Sequence, residues 1–290
     1  VISKNHKSET TLKNRPEMIF NTKEKLIFKV YEGNEKKDGE FIWGASRNKI
    51  FDQYYDALKT YDTDWILAEM EDIIYDDPEF IDAFNKIASI EIEMKNYGIA
   101  LAYYETAYDI AKEVIPKNFN GLIPWGIIEN RPYLRTLHGL GICYLLTNKL
   151  SKASRIFNKI LKYNPLDNQG VRALAIESYM AQGKFKNILK ICSMFNDDAM
   201  VDNIYGAVYA NYYLGKRKKA EELLEIAVKY SPNVAKELLK TKHTEILNDN
   251  PGYLTMGGED EAYDYWLRTG PYWTNPELLA FLKSEFDKYK

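Results

Sequence analysis

RPYLRTLHGLGICYLLTNKLSKASRIFNKILKYNPLDNQG, residues 131–170, is two amphipathic stretches separated by the turn TNK and closed by a proline. On the first, Leu137, Leu140, Gly141 and Tyr144 recur at helical spacing; on the second, Ala153 and Phe157 do, and Pro165 ends it. Antiparallel helices approach closely only where small side chains sit at their crossing. Gly141 and Ala153 take those places, while Leu140, Tyr144 and Phe157 fill the space between this hairpin and its neighbours. One such hairpin cannot bury its apolar face alone, so the pattern demands further copies along the chain.

The copies are present. With Pro78 in the closing position, Ile66 stands where Ala153 does, and Ala100 follows 34 residues later, preceded by Phe84, Ile87 and Ala88 and followed by Tyr104 and Ala107. That period is the one of the tetratricopeptide repeat. Ala100 to Ala153 is 53 residues, so a segment is inserted around PKNFNGLIPWGIIEN, residues 116–130. Carrying Pro124 and Trp125, the insert either folds back on the repeats or is functional, and the rarity of exposed apolar patches favours folding back. The next copy has Gly183 and Phe185 at its turn and Ile188 in the small place, 35 residues after Ala153; the last has Gly215, Ala220, Ala227 and Pro232. Helices are expected over 49–61, 64–75, 79–97, 100–114, 187–195 and 233–240, then 259–268 and 275–289.

The fold class read from this pattern is all-α: a right-handed superhelical solenoid of tetratricopeptide repeats with an N-terminal β-hairpin arm and C-terminal capping helices. Residues 1–48 form the arm, 49–240 the repeats and 241–290 the cap. In the arm, KLIFKVYE (25–32) alternates as a strand does, EFIW (40–43) pairs with it, and GNEKKDG between them is turn chemistry. An isolated hairpin is marginal, so it packs on the first helices or stays a mobile arm; capping the solenoid end is the favoured reading.

With 46% apolar and 28% charged residues, the composition is that of an ordinary folded domain. A net charge of −3 provides no global basic field for nucleic acid or an acidic membrane. No apolar run reaches the roughly 20 residues of a membrane helix. Cys143 and Cys192 both fall inside expected helices, which fits core packing in a reducing, cytoplasmic compartment. The chain opens at Val1, which leaves room for a segment removed upstream.

Pro132–Gly170 and Ser231–Phe286 resemble the repeat region and C-terminal tail of the family named for suppression of tumorigenicity protein seven and its small bacterial relatives. ENRPYLRTLHGLG (129–141), NPLDNQGVR (164–172), SPNVAKELLK (231–240) and GGEDEAYDYW (257–266) carry the resemblance, which covers roughly residues 117–290. It implies helical repeats and interaction roles, with no catalytic residue to carry over. The N-terminal portion lacks the resemblance, and the membrane segments of the eukaryotic members are absent.

Catalytic motifs are missing: no HExxH, CxxC, nucleophile elbow or phosphate-binding loop occurs. No cofactor and no metal is expected. GGEDEA (257–262) lacks the alternating oxygen ligands of a calcium loop and reads as a helix start with acids against the dipole. The acidic cluster Glu69, Glu71, Asp72, Asp76 and Asp77 reads as a solvated helix face. Function then falls to the concave face, lined by the first helix of each repeat. There the register places Asn85 and Lys86, then Arg135 and His138, then Glu177, and finally Tyr205, Tyr209 and Tyr212, with Arg172 close to the row. Arginine and tyrosine are enriched at binding hot spots, and a cationic stretch beside aromatic rings suits an extended peptide with an acidic or carboxylate end. The expected function is a non-catalytic scaffold binding a protein or peptide, not nucleic acid, with the tyrosines either contacting that partner or packing on the cap. The alternative is a structural subunit that self-assembles or docks through the arm and the Trp125 loop. An enzyme has only the grouping of His138 with Glu177 behind it.

Overall fold

A computed structural model describes residues 24–33, 36–196, 200–246 and 253–289. The part of the expected arm before Glu24 lies outside these residues. Strands β1 (Ile27–Tyr31) and β2 (Asp38–Ile42) pair antiparallel, with Ile27 opposite Ile42 and Tyr31 opposite Asp38. The helices that follow are α1 (Asn48–Ala57), α2 (Thr63–Asp76), α3 (Ile81–Glu93), α4 (Tyr97–Val114), α5 (Arg131–Leu146), α6 (Leu150–Tyr163), α7 (Val171–Met180), α8 (Phe185–Met194), α9 (Val201–Tyr213), α10 (Arg217–Tyr230), α11 (Pro232–Leu238), α12 (Glu259–Thr269) and α13 (Pro276–Phe286). They stack as consecutive antiparallel hairpins, α3 on α4, α5 on α6 and α9 on α10, in the solenoid that the periodicity predicts.

Small residues set this stack. A Cβ added at Gly141 would stand 2.3 Å from the Phe157 ring inside the α5–α6 hairpin, and one at Gly139 would stand 2.1 Å from the Tyr104 ring of the preceding repeat. Ala100, Ala153 and Ala220 are fully buried at the equivalent crossings. The turn inside each hairpin needs one left-handed residue, and that place is held by Lys95 (φ 63°), Asn148 (φ 56°), Gly183 (φ 63°) and Gly215 (φ 71°). The requirement explains why α3 stops at Glu93 where apolar periodicity alone carries it to Tyr97. At its other end α3 begins at Ile81, because Asp77 and Glu79 ahead of it engage Arg47. Helix α1 ends at Ala57 instead of Tyr61, since Asp62 leaves the helix to cap α2 by accepting from the Trp65 amide at 3.1 Å.

The insert and the hairpin explain each other. Residues 115–130 run beside β2: the Gly39 amide donates to the Leu122 carbonyl at 2.7 Å, and the Leu122 amide to the Lys37 carbonyl at 2.8 Å. The Asn130 side chain closes the same edge, accepting from the Phe41 amide at 3.1 Å and donating to the Gly39 carbonyl at 2.9 Å. Leu26, Phe28, Phe41 and Trp43 from the hairpin and Ile123 from the insert join the principal core that runs through the repeats. Trp125 packs half-buried against that core under the Arg131 guanidinium, 5.2 Å from its ring centroid. The insert therefore folds back. Both cysteines are buried, and burial pushes their thiols up to about 11 for Cys143 and about 12 for Cys192.

Candidate functional site

Among the described residues, the first half of the repeats' inner face is open. There Asp82 on α3 and Arg135 on α5 form the floor, with Arg135 Nε donating to Asp82 Oδ1 at 3.1 Å and the other guanidinium arm on Oδ2. Asp82 is buried, whereas the Arg135 side chain is 40% exposed. Two clefts meet at this pair. One, of about 500 Å³, runs toward the hairpin between Trp43, Phe51 and Tyr55 on one side and Arg131 and Pro132 on the other. The second, of about 440 Å³, runs along α3 and α5 past Lys86, Tyr104 and His138 to Ile142. Together they make one groove with a charged floor and aromatic walls. Burial holds the His138 pKa below its ordinary value, so the ring is neutral near pH 7.

Of the residues placed on the groove by sequence, Asn85, Lys86, Arg135 and His138 line this open stretch. Asn85 has its polar atoms already used, however. Its Nδ2 donates to Asp82 Oδ1 and to the Pro132 carbonyl, both at 3.0 Å, and its Oδ1 accepts from the Thr136 hydroxyl at 2.8 Å. It joins α3 to α5 and is no free ligand.

The remaining candidates lie elsewhere, and the reason is the chain's own C-terminus. Tyr205 is fully buried, donating to the Ser231 carbonyl at 2.8 Å and touching the Tyr265 and Trp273 rings. Tyr209 is 5% exposed against Trp273, and Tyr212 lies 5.2 Å from Phe281 between centroids. The expected tyrosine wall is thus a packing surface for the cap. Arg172 pairs with the buried Asp167 at 2.9 Å at the start of α7 and lies over Phe195. Glu177 is buried beside Arg268 of α12, which bonds Asp202 at 2.8 Å and Asp264 at 3.0 Å but stands 3.8 Å from Glu177. His138 and Glu177 sit in separate surroundings, so the pair behind the enzyme reading is not assembled. Sequence reasoning missed Asp82, Tyr55 and Arg131. Tyr55, 54% exposed on α1, carried no repeat signal because the register of the first hairpin rested on its second helix, at Ile66 and Pro78.

The Glu177 carboxyl is pushed up to about 7 by burial, with Asp202 and Asp264 adding to the rise and Arg268 opposing it. Its folded value therefore lies above the ordinary 4.5. The folded chain holds a proton there that the unfolded chain releases, a contribution to stability complete below about pH 4.5 and lost as pH rises through about 7. Glu177→Gln mimics the protonated form. The melting temperature of this variant minus that of wild type is expected near zero at about pH 4 and increasingly positive toward about pH 8. A difference that stays constant with pH contradicts the assignment.

No helix of the described residues is long and apolar enough to cross a membrane, and no group of three or more His, Cys, Asp or Glu among them is placed to hold a metal ion. Residues 43–289 match the family model described as transcriptional repressor TCF25. Among curated proteins none matches the chain. Among solved structures it is similar to YrrB, described as a TPR protein with an unusual peptide-binding site, at 16% identity over 64% of this chain and 90% of that one, with a TM-score of 0.49. It is also similar to MamA MSR-1 C2 (12% identity, 72% and 98% coverage, TM-score 0.40) and to a Podosopora anserina putative kinesin light chain with nearly identical TPR-like repeats (14% identity, 73% and 98% coverage, TM-score 0.40).

Proposed function

The chain belongs to the transcriptional repressor TCF25 family, and from that premise we propose that it is a non-catalytic adaptor whose open groove takes an extended segment of a partner protein. The observation that carries this reading is the continuity of the two clefts across the Asp82–Arg135 floor, while the rest of the concave face is filled by the chain's own C-terminal helices. Half-exposed Arg135 and neighbouring Arg131 suit a carboxylate, and the Trp43, Phe51 and Tyr55 wall suits an apolar side chain two or three residues along. The family's description extends to this chain only as the setting of its partner, a protein of transcriptional control. Cytoplasmic residence remains an expectation from cysteine usage. The resemblance of residues 117–290 to the suppression of tumorigenicity protein seven family adds the same interaction role, and the groove reading does not depend on it.

Arg135 is a poor residue to mutate first, because its loss strands the buried Asp82. Tyr55→Ala and Lys86→Glu alter groove walls that are partly open to solvent. Peptides selected from a random library against the whole chain are expected to lose about tenfold or more in affinity on Tyr55→Ala, as hot-spot truncations do. Acidic peptides are expected to weaken further on Lys86→Glu. Selected peptides indifferent to both variants place recognition outside the groove and overturn the reading.

A further inference from the structure

The near-neutral total conceals two segregated surfaces. Between residues 50 and 94 there are thirteen aspartates and glutamates against two lysines, with Asp77 and Asp82 buried against Arg47 and Arg135 and the other acids left to the surface; between 146 and 196 there are nine lysines and arginines against two acids. Those two acids, Asp167 and Glu177, are buried, so the outer face of α6 and α8 presents cations alone. Lys152, Arg155 and Lys162 lie along one exposed stripe of α6, and Lys186 and Lys190 along one of α8. Among the described residues none of these five forms an ion pair. The acidic surface has a further property. On α2 and the turn before it, Tyr61 is fully exposed, Trp65 is 55% exposed and Tyr75 is 73% exposed, beside exposed Asp64 and Glu71.

We propose that the outer face of α2 docks on the outer face of α6 and α8 of a second copy of this chain. Exposed rings among carboxylates are what arginine and lysine side chains find complementary, through cation–π contact as well as charge. The chain already uses this pairing internally: Arg217 lies 3.9 Å from the Phe281 ring centroid, and Lys152 lies 5.0 Å from that of Tyr144. Within one molecule the two faces belong to different repeats, α2 packing on α1 and α3 and α6 on α5 and α7, so a second copy must supply the match. A nucleic acid would find phosphate partners on α6 and α8. It would find no exposed ring there on which to stack a base, and it would leave the acidic aromatic face unused. Two arrangements satisfy this contact: a two-fold pair in which each copy's α2 meets the other's α6 and α8, and a head-to-tail series that closes as a ring or extends as a chain. The contact uses neither the groove nor the hairpin, and it stands independently of the peptide-binding reading.

Sedimentation velocity on the full chain, freed of nucleic acid, tests this. In about 0.02 M salt the weight-average sedimentation coefficient is expected to rise with protein concentration, and in about 0.5 M salt the rise disappears as the charges are screened. Asp64→Lys with Glu71→Lys, and separately Arg155→Glu with Lys190→Glu, are each expected to remain monomeric at low salt. Mixing the two double variants restores association, because each reversed face meets a reversed partner. Trp65→Ala weakens wild-type association about tenfold, consistent with an aromatic anchor. A chain monomeric at low salt, or an oligomer indifferent to both reversals, overturns the proposal. Association that appears only with added RNA and vanishes with nuclease also overturns it, and assigns the α6–α8 face to a polyanion. None of these substitutions lies in the groove or the core, and the circular dichroism spectrum and melting temperature of each variant serve as the control for folding.

Discussion

Arg47→Ala is expected to lower the unfolding free energy by about 3–5 kcal/mol, the cost of removing one partner from a buried ion pair. Arg47 is 1% exposed and all its arms are used: Nε donates to Asp77, Nη2 to Asp77 and Glu79, and Nη1 to the Trp43 carbonyl at 2.7 Å. Asp77 is 2% exposed, so losing the guanidinium leaves a carboxylate without its counter-charge in the interior. Glu79 also accepts from the Leu26 amide at 2.7 Å, which ties the hairpin to the same knot. The damage therefore spreads to both sides of the α2–α3 connection. Urea denaturation of wild type and variant measures it. Arg47→Met with Asp77→Leu, which removes both charges, is expected to recover much of the loss, since a buried pair replaced by apolar groups is often neutral. A small loss for the single variant contradicts the account.

Trp273→Ala is expected to cost about 3–5 kcal/mol, the range for emptying a buried tryptophan site. Trp273 is 2% exposed, with its ring against Tyr205 and Tyr209 and its Nε1 donating to the Tyr265 hydroxyl at 3.3 Å. It joins the cap to α9 on the filled half of the concave face. A distinguishing consequence accompanies the loss of stability: hydrogen exchange is expected to accelerate in α12 and α13 and around Tyr209 while α3–α6 stay protected, because repeats contact mainly their neighbours. Uniform acceleration across all repeats indicates global destabilisation instead.

The repeat register was legible because it rests on volume. Gly141, Ala100, Ala153 and Ala220 are small where helices cross: a Cβ at Gly141 would meet the Phe157 ring, and the three alanines are fully buried. Arg47 was illegible for the opposite reason: an arginine before a helix reads as a solvated cation, and only the fold reveals two acids converging on it from 30 and 32 residues away. The hairpin and the insert each carried a local signal, but their mutual hydrogen bonds span about 85 residues and leave no pattern in either segment. Half the expected groove was misplaced because tyrosines that bind a partner and tyrosines that seat a cap have the same composition and spacing. Lys86, Arg135 and His138 line the open half, where none of the described residues covers them.

The staple between β2 and the insert has a consequence for synthesis. The hairpin leaves the ribosome before the insert, and the Asn130 that closes its edge follows Phe41 by 89 residues. At about 5–20 residues per second, the nascent strands wait about 4–18 seconds for their docking surface, while α1 to α4 fold locally as they emerge. During that interval a two-stranded ribbon of marginal stability, with Phe28, Phe41 and Trp43 uncovered, is the segment most in need of a chaperone.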